Sequence, residues 1–195
     1  MKKMNLPNKL TVLRMVMVPL VWAAYLLIPK DWLVLNEATG LSMRNIIVLL
    51  LFVVASFTDM LDGKIARSRN LITSFGKFLD PIADKMLVNT TLILLVYDHE
   101  AAILPVLLMI ARDLIVDGLR FSAASQGEVV SAGFSGKLKT VLQMVAIPLL
   151  LLCNFPFNYI HLPIAQIALW AAAVVSLYSG WVYFDQLKDY VLETM

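Results

Sequence analysis

The chain is 195 residues long, 60% hydrophobic and 15% charged, with a mean hydropathy of +0.79 and a formal net charge of +2. A soluble domain carries about 25% charged residues, so this composition excludes an ordinary water-soluble globule, and so small a net charge gives no footing for nucleic-acid binding. Cys153 is the single cysteine, which excludes an intrachain disulfide; in the apolar run LLLLCNF it reads as a packed or lipid-facing small hydrophobe.

The N-terminus, MKKMNLPNKL, begins like a signal peptide, but the apolar stretch 10–29 is longer than an h-region and no small-residue cleavage site follows. Pro29, Lys30 and Asp31 end it, and it reads as a retained first span. Further apolar blocks follow at 45–66, 78–97, 101–121, 138–154 and 162–184. Each comes near the roughly 20 residues that a helix needs to cross a bilayer core. The polar turn Asp98-His99-Glu100 makes the third and fourth blocks antiparallel neighbours. The Ser-, Ala- and Gly-rich stretch 122–136 reads as a loop, and Asn154, Pro156 and Pro163 bracket the last connection. In the sixth block Ala171, Ala172, Ala173, Ser176 and Gly180 suit close helix packing. Trp22, Trp32, Trp170 and Trp181 read as interface anchors or packing residues. No alternation of period two appears, which argues against a barrel. The expected fold is an all-α integral membrane protein, a six-transmembrane-helix bundle formed by one domain over 1–195, with a short juxtamembrane segment 1–9.

Basic residues orient the bundle. With six spans, Lys2, Lys3, Lys9, Lys64, Arg67, Arg69, Lys77, Lys85, Arg120, Lys137, Lys139 and Lys188 fall on one side, with Arg14 and Arg112 inside spans near it. Lys30 and Arg44 alone fall on the other, a division of 14 to 2 among the 16 lysines and arginines. The positive-inside rule makes the rich side, with both termini, cytoplasmic.

Residues 59–84 carry the pattern D-x2-D-G-x2-A-R-x8-G-x3-D-x3-D. Ionised carboxylates at membrane depth are costly and need a partner, a cavity or a metal. Asp59, Asp62, Gly63 and Ala66 share one helical face; Gly76, Asp80 and Asp84 share another. If residues 68–75 turn the chain, the two acidic faces meet. Four carboxylates in one cavity repel, and two divalent cations would offset them while leaving positions for phosphate oxygens. Hard oxygen donors favour Mg2+, Mn2+ or Ca2+ over zinc. His99 and His161 fall in turns on the opposite side and read as solvated, Asp98 as a turn residue, and Asp185 and Asp189 as caps or a solvated rim.

With Asp59, Asp62, Gly63, Ala66, Arg67, Gly76, Asp80 and Asp84 all in place, the chain resembles the CDP-alcohol phosphatidyltransferase family. The resemblance implies a membrane enzyme of phospholipid biosynthesis that moves a phosphatidyl group from CDP-diacylglycerol to an alcohol, releasing CMP. By the same resemblance, Asp59, Asp62, Asp80 and Asp84 would hold two Mg2+ or Mn2+ ions, and Asp84 would also be the general base. Gly63, Ala66 and Gly76 would line the cytidine nucleotide site, Arg67 would neutralise the diphosphate, and the chain would form a homodimer.

The opening Leu6-Pro7-Asn8-Lys9-Leu10-Thr11-x2-Arg14 resembles that of the family's branch that uses glycerol 3-phosphate. Asn8, Thr11 and Arg14, spaced by three, can line one side of the first helix; they also read as a Pro–Asn turn and cap followed by a snorkelling arginine. A phosphorylated acceptor needs cations, and Arg112, Arg120, Lys137 and Lys139 are the candidates. Arg112 needs a counter-charge, but adjacency makes Asp113 a poor partner and Asp117, at i+5, is off its face. Lys137 and Lys139 also read as positive-inside flanks, Lys139 more readily than Lys137. The acceptor is therefore expected to be glycerol 3-phosphate. The rivals are phosphatidylglycerol, as in cardiolipin synthesis, or serine or inositol phosphate, and, from another class, a divalent-cation transporter. Lys64, Arg67, Arg69, Lys77 and Lys85 beside the acids oppose cation passage.

Overall fold

Apolar periodicity is realised as helix almost throughout. The computed structural model describes residues 5–68, 73–125 and 133–192. The side chains of Asp62, Lys64, Ala66, Arg67, Lys77 and Asp189 lie outside the described residues, as do Lys2, Lys3 and Arg69 entirely. Six long helices run in order: α1 (Leu6–Leu27), α2 (Met43–Ser68), α3 (Ser74–Tyr97), α4 (Ile103–Ser125), α5 (Phe134–Leu151) and α6 (Ile164–Leu192). A 3-10 turn, Phe157–Ile160, precedes α6. Between α1 and α2 lies a small antiparallel hairpin of β1 (Val34–Asn36) and β2 (Leu41–Ser42), with Val34 opposite Ser42 and Asn36 opposite Leu41. Gly40 turns it at φ +69, a conformation that glycine adopts without strain. Strands this short carry no readable alternation, and the sequence reading has no counterpart to the hairpin.

The helices are also longer than their apolar cores at the ends expected to form the loop 122–136. Helix α4 continues to Ser125 and α5 already starts at Phe134; residues 126–132 lie outside the described residues. Alanine is the best helix former, and Ala123 is buried against Val116, Leu119, Tyr183 and Leu187, so packing carries the helix past its hydrophobic stretch.

Packing divides the bundle into two halves. Helix α1 packs chiefly against α2 and α3, while α6 packs chiefly against α4 and α5. A shared core of Val18, Val21, Phe52, Leu87, Leu92, Met109, Ile147 and Leu169 joins them. Four helices have stretches long and apolar enough to cross a membrane: Leu6–Leu27, Met43–Leu61, Phe134–Leu151 and Ile164–Lys188. In α3 and α4 the charges of Asp80, Asp84 and Lys85, and of Arg112, Asp113, Asp117 and Arg120, interrupt the apolar run. Large apolar side chains such as Leu27, Leu114, Val174 and Trp181 are exposed, a surface suited to hydrocarbon rather than water.

The end of the bundle away from the aspartates is tied by polar contacts. Arg44, buried, pairs with Asp98, and its guanidinium lies 4.5 Å from the Tyr25 ring centroid. Lys30 pairs with Glu100 at 2.7 Å, and the Glu100 carbonyl accepts from Gln166 Nε2 at 2.6 Å. Cys153 is buried and its sulfur accepts from Asn45 Nδ2 at 3.0 Å, so it is packed rather than lipid-facing. His99 and His161 are exposed at this end.

Ala172 has no exposed surface. Ala172→Leu would overpack the core and remove about 1–3 kcal/mol of stability. A lower thermal unfolding midpoint in detergent micelles is the expected reading, and an unchanged midpoint would contradict this packing.

Candidate active site

Helix α1 organises the aspartates. Its first turn carries Pro7, whose fixed φ suits a helix start, and three polar residues at spacing three then meet Thr73, Asp80 and Asp59. Asn8 Oδ1 accepts from Thr73 Oγ1 at 2.8 Å. Thr73 is the extended N-cap of α3, and its hydroxyl oxygen accepts from the Gly76 N–H at 3.0 Å, satisfying a donor that the helix start leaves open. Thr11 Oγ1 donates to Asp80 Oδ1 at 2.7 Å. Arg14, with no exposed surface, places Nη1 2.5 Å from Asp59 Oδ1. A fully buried guanidinium requires an anion, so Arg14 is a buried partner of the motif rather than a snorkelling side chain.

Gly76 eases this convergence. A Cβ there would stand 3.3 Å from Asn8 Oδ1, 3.4 Å from Thr73 Oγ1 and 3.6 Å from Asp80 Oδ2. The bare backbone lets the α1 amide and the α3 carboxylate approach together. Asp59 and Asp80 each present one oxygen to α1.

One turn after Asp80, Asp84 lines a cavity of about 160 Å3 between α3, α4, α5 and α6. Its other charged walls are Lys85, Arg112, Asp113, Asp117, Arg120 and Lys139. Four cations face three carboxylates there, a balance of +1 that suits an anionic guest. Lys139 is buried and pairs with buried Asp113. Arg112 Nη1 donates to Asp113 Oδ1 at 2.9 Å, its Nη2 donates to Ser179 Oγ at 2.7 Å, and its Cζ lies 5.7 Å from the Tyr183 ring centroid. Lys85 pairs with Asp117 across the mouth. The charges acting on Asp84 include Arg14 on α1, Asp59 on α2 and Lys139 on α5, with Lys85 beside it on α3.

Two expectations are corrected. Arg112 does pair with Asp113: the arginine is long and flexible enough to reach its neighbour, and with both side chains largely removed from solvent the pairing is favoured over hydration. Lys137 is exposed and absent from the cavity wall, whereas Lys139 is buried in it. Residues two apart on a helix point to nearly opposite faces, and on α5 the inward face is that of Lys139. Sequence reasoning also passed over Asp113 as a bridging carboxylate and the Ser179, Gly180 and Tyr183 face of α6. A Ser-Gly pair in a small-residue stripe reads equally as helix packing, and no spacing rule separates the two.

Asp59, Asp80 and Asp84 are hard oxygen donors carried by two helices, the chemistry a divalent cation would take; the side chain of Asp62, the fourth expected donor, lies outside the described residues. Among the described residues no three of His, Cys, Asp or Glu stand together as a metal group; the candidate set is complete only with Asp62.

The family model described as CDP-alcohol phosphatidyltransferase matches residues 4–178 of this chain. The chain is 43% identical over 183 residues to the CDP-diacylglycerol–glycerol-3-phosphate 3-phosphatidyltransferase of Bacillus subtilis (strain 168), covering 93% of this chain and 94% of that one. It is 39% identical over 187 residues to the protein of that name from Rickettsia bellii (strain RML369-C), covering 95% and 97%. With its counterpart from Haemophilus influenzae (strain ATCC 51907 / DSM 11121 / KW20 / Rd) the identity is 34% over 198 residues, covering 99% and 98%.

Asp113 holds buried Lys139 and largely buried Arg112, so Asp113→Asn removes the carboxylate that both of them share. Breaking a buried pair costs about 3–5 kcal/mol, and the thermal midpoint of the purified protein should fall accordingly. A variant as stable as the parent would show that Asp113 does not carry this charge balance.

Proposed function

The chain belongs to the CDP-alcohol phosphatidyltransferase family, and from that premise we propose that it transfers the phosphatidyl group of CDP-diacylglycerol to glycerol 3-phosphate, giving phosphatidylglycerophosphate and CMP. The observation that carries the acceptor is the cavity in which Asp84 shares a wall with Arg112, Arg120 and Lys139. A phosphorylated alcohol presents its dianion to those cations and its free hydroxyl to the carboxylate. Phosphatidylglycerol, a bulkier acceptor, would make less use of so many cations around one cavity. A cation transporter is disfavoured because these basic groups stand beside the acids.

In this reading Asp84 accepts the proton of the attacking hydroxyl. The hydroxyl oxygen forms a new bond to the phosphatidyl phosphorus while the bond from that phosphorus to the CMP oxygen breaks, and CMP leaves with the electron pair. Asp59, Asp62, Asp80 and Asp84 would hold two divalent cations, Mg2+ or Mn2+, which when bound supply positive charge to the diphosphate. Gly63, Ala66 and Gly76 keep the nucleotide's approach free of side-chain bulk, and Arg67 offsets diphosphate charge. Asn8, Thr11 and Arg14 support the site from behind by fixing Thr73, Asp80 and Asp59. Arg112, Arg120 and Lys139 orient the acceptor phosphate; Lys137, exposed on α5, adds to the basic rim instead.

The proposed setting is the plasma membrane, spanned six times by one domain, with both termini and the active site at the cytoplasmic side. Support comes from the 14 of 16 basic residues assigned to that side by the sequence. There, soluble glycerol 3-phosphate and metal reach the site while CDP-diacylglycerol enters from the bilayer. The working unit proposed is a homodimer, as the resemblance implies.

Purified protein given CDP-diacylglycerol, Mg2+ and labelled acceptors should release CMP with glycerol 3-phosphate. Turnover of serine or inositol phosphate in its place would sink the assignment. Asp84→Asn should abolish turnover while cytidine nucleotide binding survives; an active variant would remove the base role. Lys139→Ala should raise KM for glycerol 3-phosphate by roughly 10- to 100-fold, the worth of a hydrogen bond to a charged group, in initial-rate measurements.

A further inference from the structure

The direction of Arg112 is tightly specified, and much of what specifies it lies on α6. Its Nη2 donates to Ser179 Oγ at 2.7 Å, and Ser179 has no exposed surface. Its guanidinium lies over the Tyr183 ring at 5.7 Å, and the Tyr183 hydroxyl accepts from the Gly133 N–H at 2.9 Å at the start of α5. Between them, Gly180 gives the arginine its path: a Cβ at that position would stand 2.8 Å from Arg112 Cγ and 3.3 Å from its Nε. At 2.8 Å two carbons overlap, so any side chain at 180 forces the arginine stem aside.

We propose that the Ser179–Gly180–Tyr183 face of α6 is a specificity-determining surface that aims Arg112 at the phosphate of the acceptor. None of the three needs to touch the reacting atoms; they act through Arg112 and are positioning residues. A guanidinium presents five N–H donors in a rigid fork. With one donor given to Asp113 and one to Ser179, others remain for a phosphate, and the two fixed bonds set the plane in which those donors lie. A fork turned by a displaced stem offers the same charge in the wrong geometry. This rests on the reading of the cavity as the site of glycerol 3-phosphate.

The test is initial-rate kinetics on the purified full chain, varying glycerol 3-phosphate and CDP-diacylglycerol separately. Gly180→Ala should raise KM for glycerol 3-phosphate by roughly tenfold, on the scale of a charge-assisted hydrogen bond, with kcat and KM for CDP-diacylglycerol within about twofold. Ser179→Ala, which only removes atoms, should shift the same KM in the same direction, so the question stays answerable if Gly180→Ala fails to fold. In an Arg112→Ala background, measured at raised acceptor concentration, Gly180→Ala should add nothing, because the stem it strikes is gone. A glycine needed only for helix packing predicts otherwise. Equal rises for both substrates, an unchanged KM, or an undiminished effect without Arg112 would each overturn the proposal. Wild-type protein that uses another alcohol and ignores glycerol 3-phosphate would overturn the underlying reading instead, and that result is seen before any variant is made.

Discussion

Arg14 has no contact with solvent, and a guanidinium stays charged at any pH a protein meets. It must therefore find a carboxylate, and Asp59 is one that it meets. That requirement locks α1 to α2 at the depth where the first aspartate pair begins. Thr11 and Asn8, one and two turns earlier, lie in register with Asp80 and Thr73 on α3. A single ionic constraint thus sets the height of three helices relative to one another, and the aspartate geometry follows from it.

The two halves of the bundle solve the same problem in parallel ways. In each, a hub helix packs against two others and supplies small polar groups that hold the charged side chains of its neighbours. Helix α1 braces acids; α6 braces a base. Asp84 lies on the seam, on α3 of the first half but in the wall of the cavity built largely by the second. Charges from both sides act on it, which is where a group that mediates between two substrates belongs.

The helices were legible because burial in an apolar bundle imposes long hydrophobic runs, and the aspartate faces because 100° per residue is a fixed geometry. Resolution was lost where the outcome depends on which way a helix is rotated about its axis. Lys137 and Lys139 have the same charge and nearly the same address, and only the packing of α5 against α4 and α6 decides that Lys139 turns inward. Arg112 and Asp113 are neighbours that a facing rule separates, yet the arginine is long enough to reach its neighbour where both side chains are largely removed from solvent. Gly180 carries no signal beyond smallness. Ala123 belongs to a helix because Tyr183 and Leu187 cover it, a contact that reaches across some sixty residues of chain. The hairpin at Val34–Asn36 and Leu41–Ser42 is shorter than the pattern that would reveal it.

Asp113 has a consequence for how a guest enters and leaves. It pairs with Arg112 and Lys139 at once, so the cavity is not a bare cationic well for whichever anion diffuses past. An incoming phosphate meets cations that are already partly neutralised, and the net attraction is smaller than their full charge would give. Such a site discriminates against weakly charged or poorly shaped visitors, which gain too little from the donors that remain. It also keeps the cations paired as the product departs, so that strong local fields and brief occupancy coexist in one site.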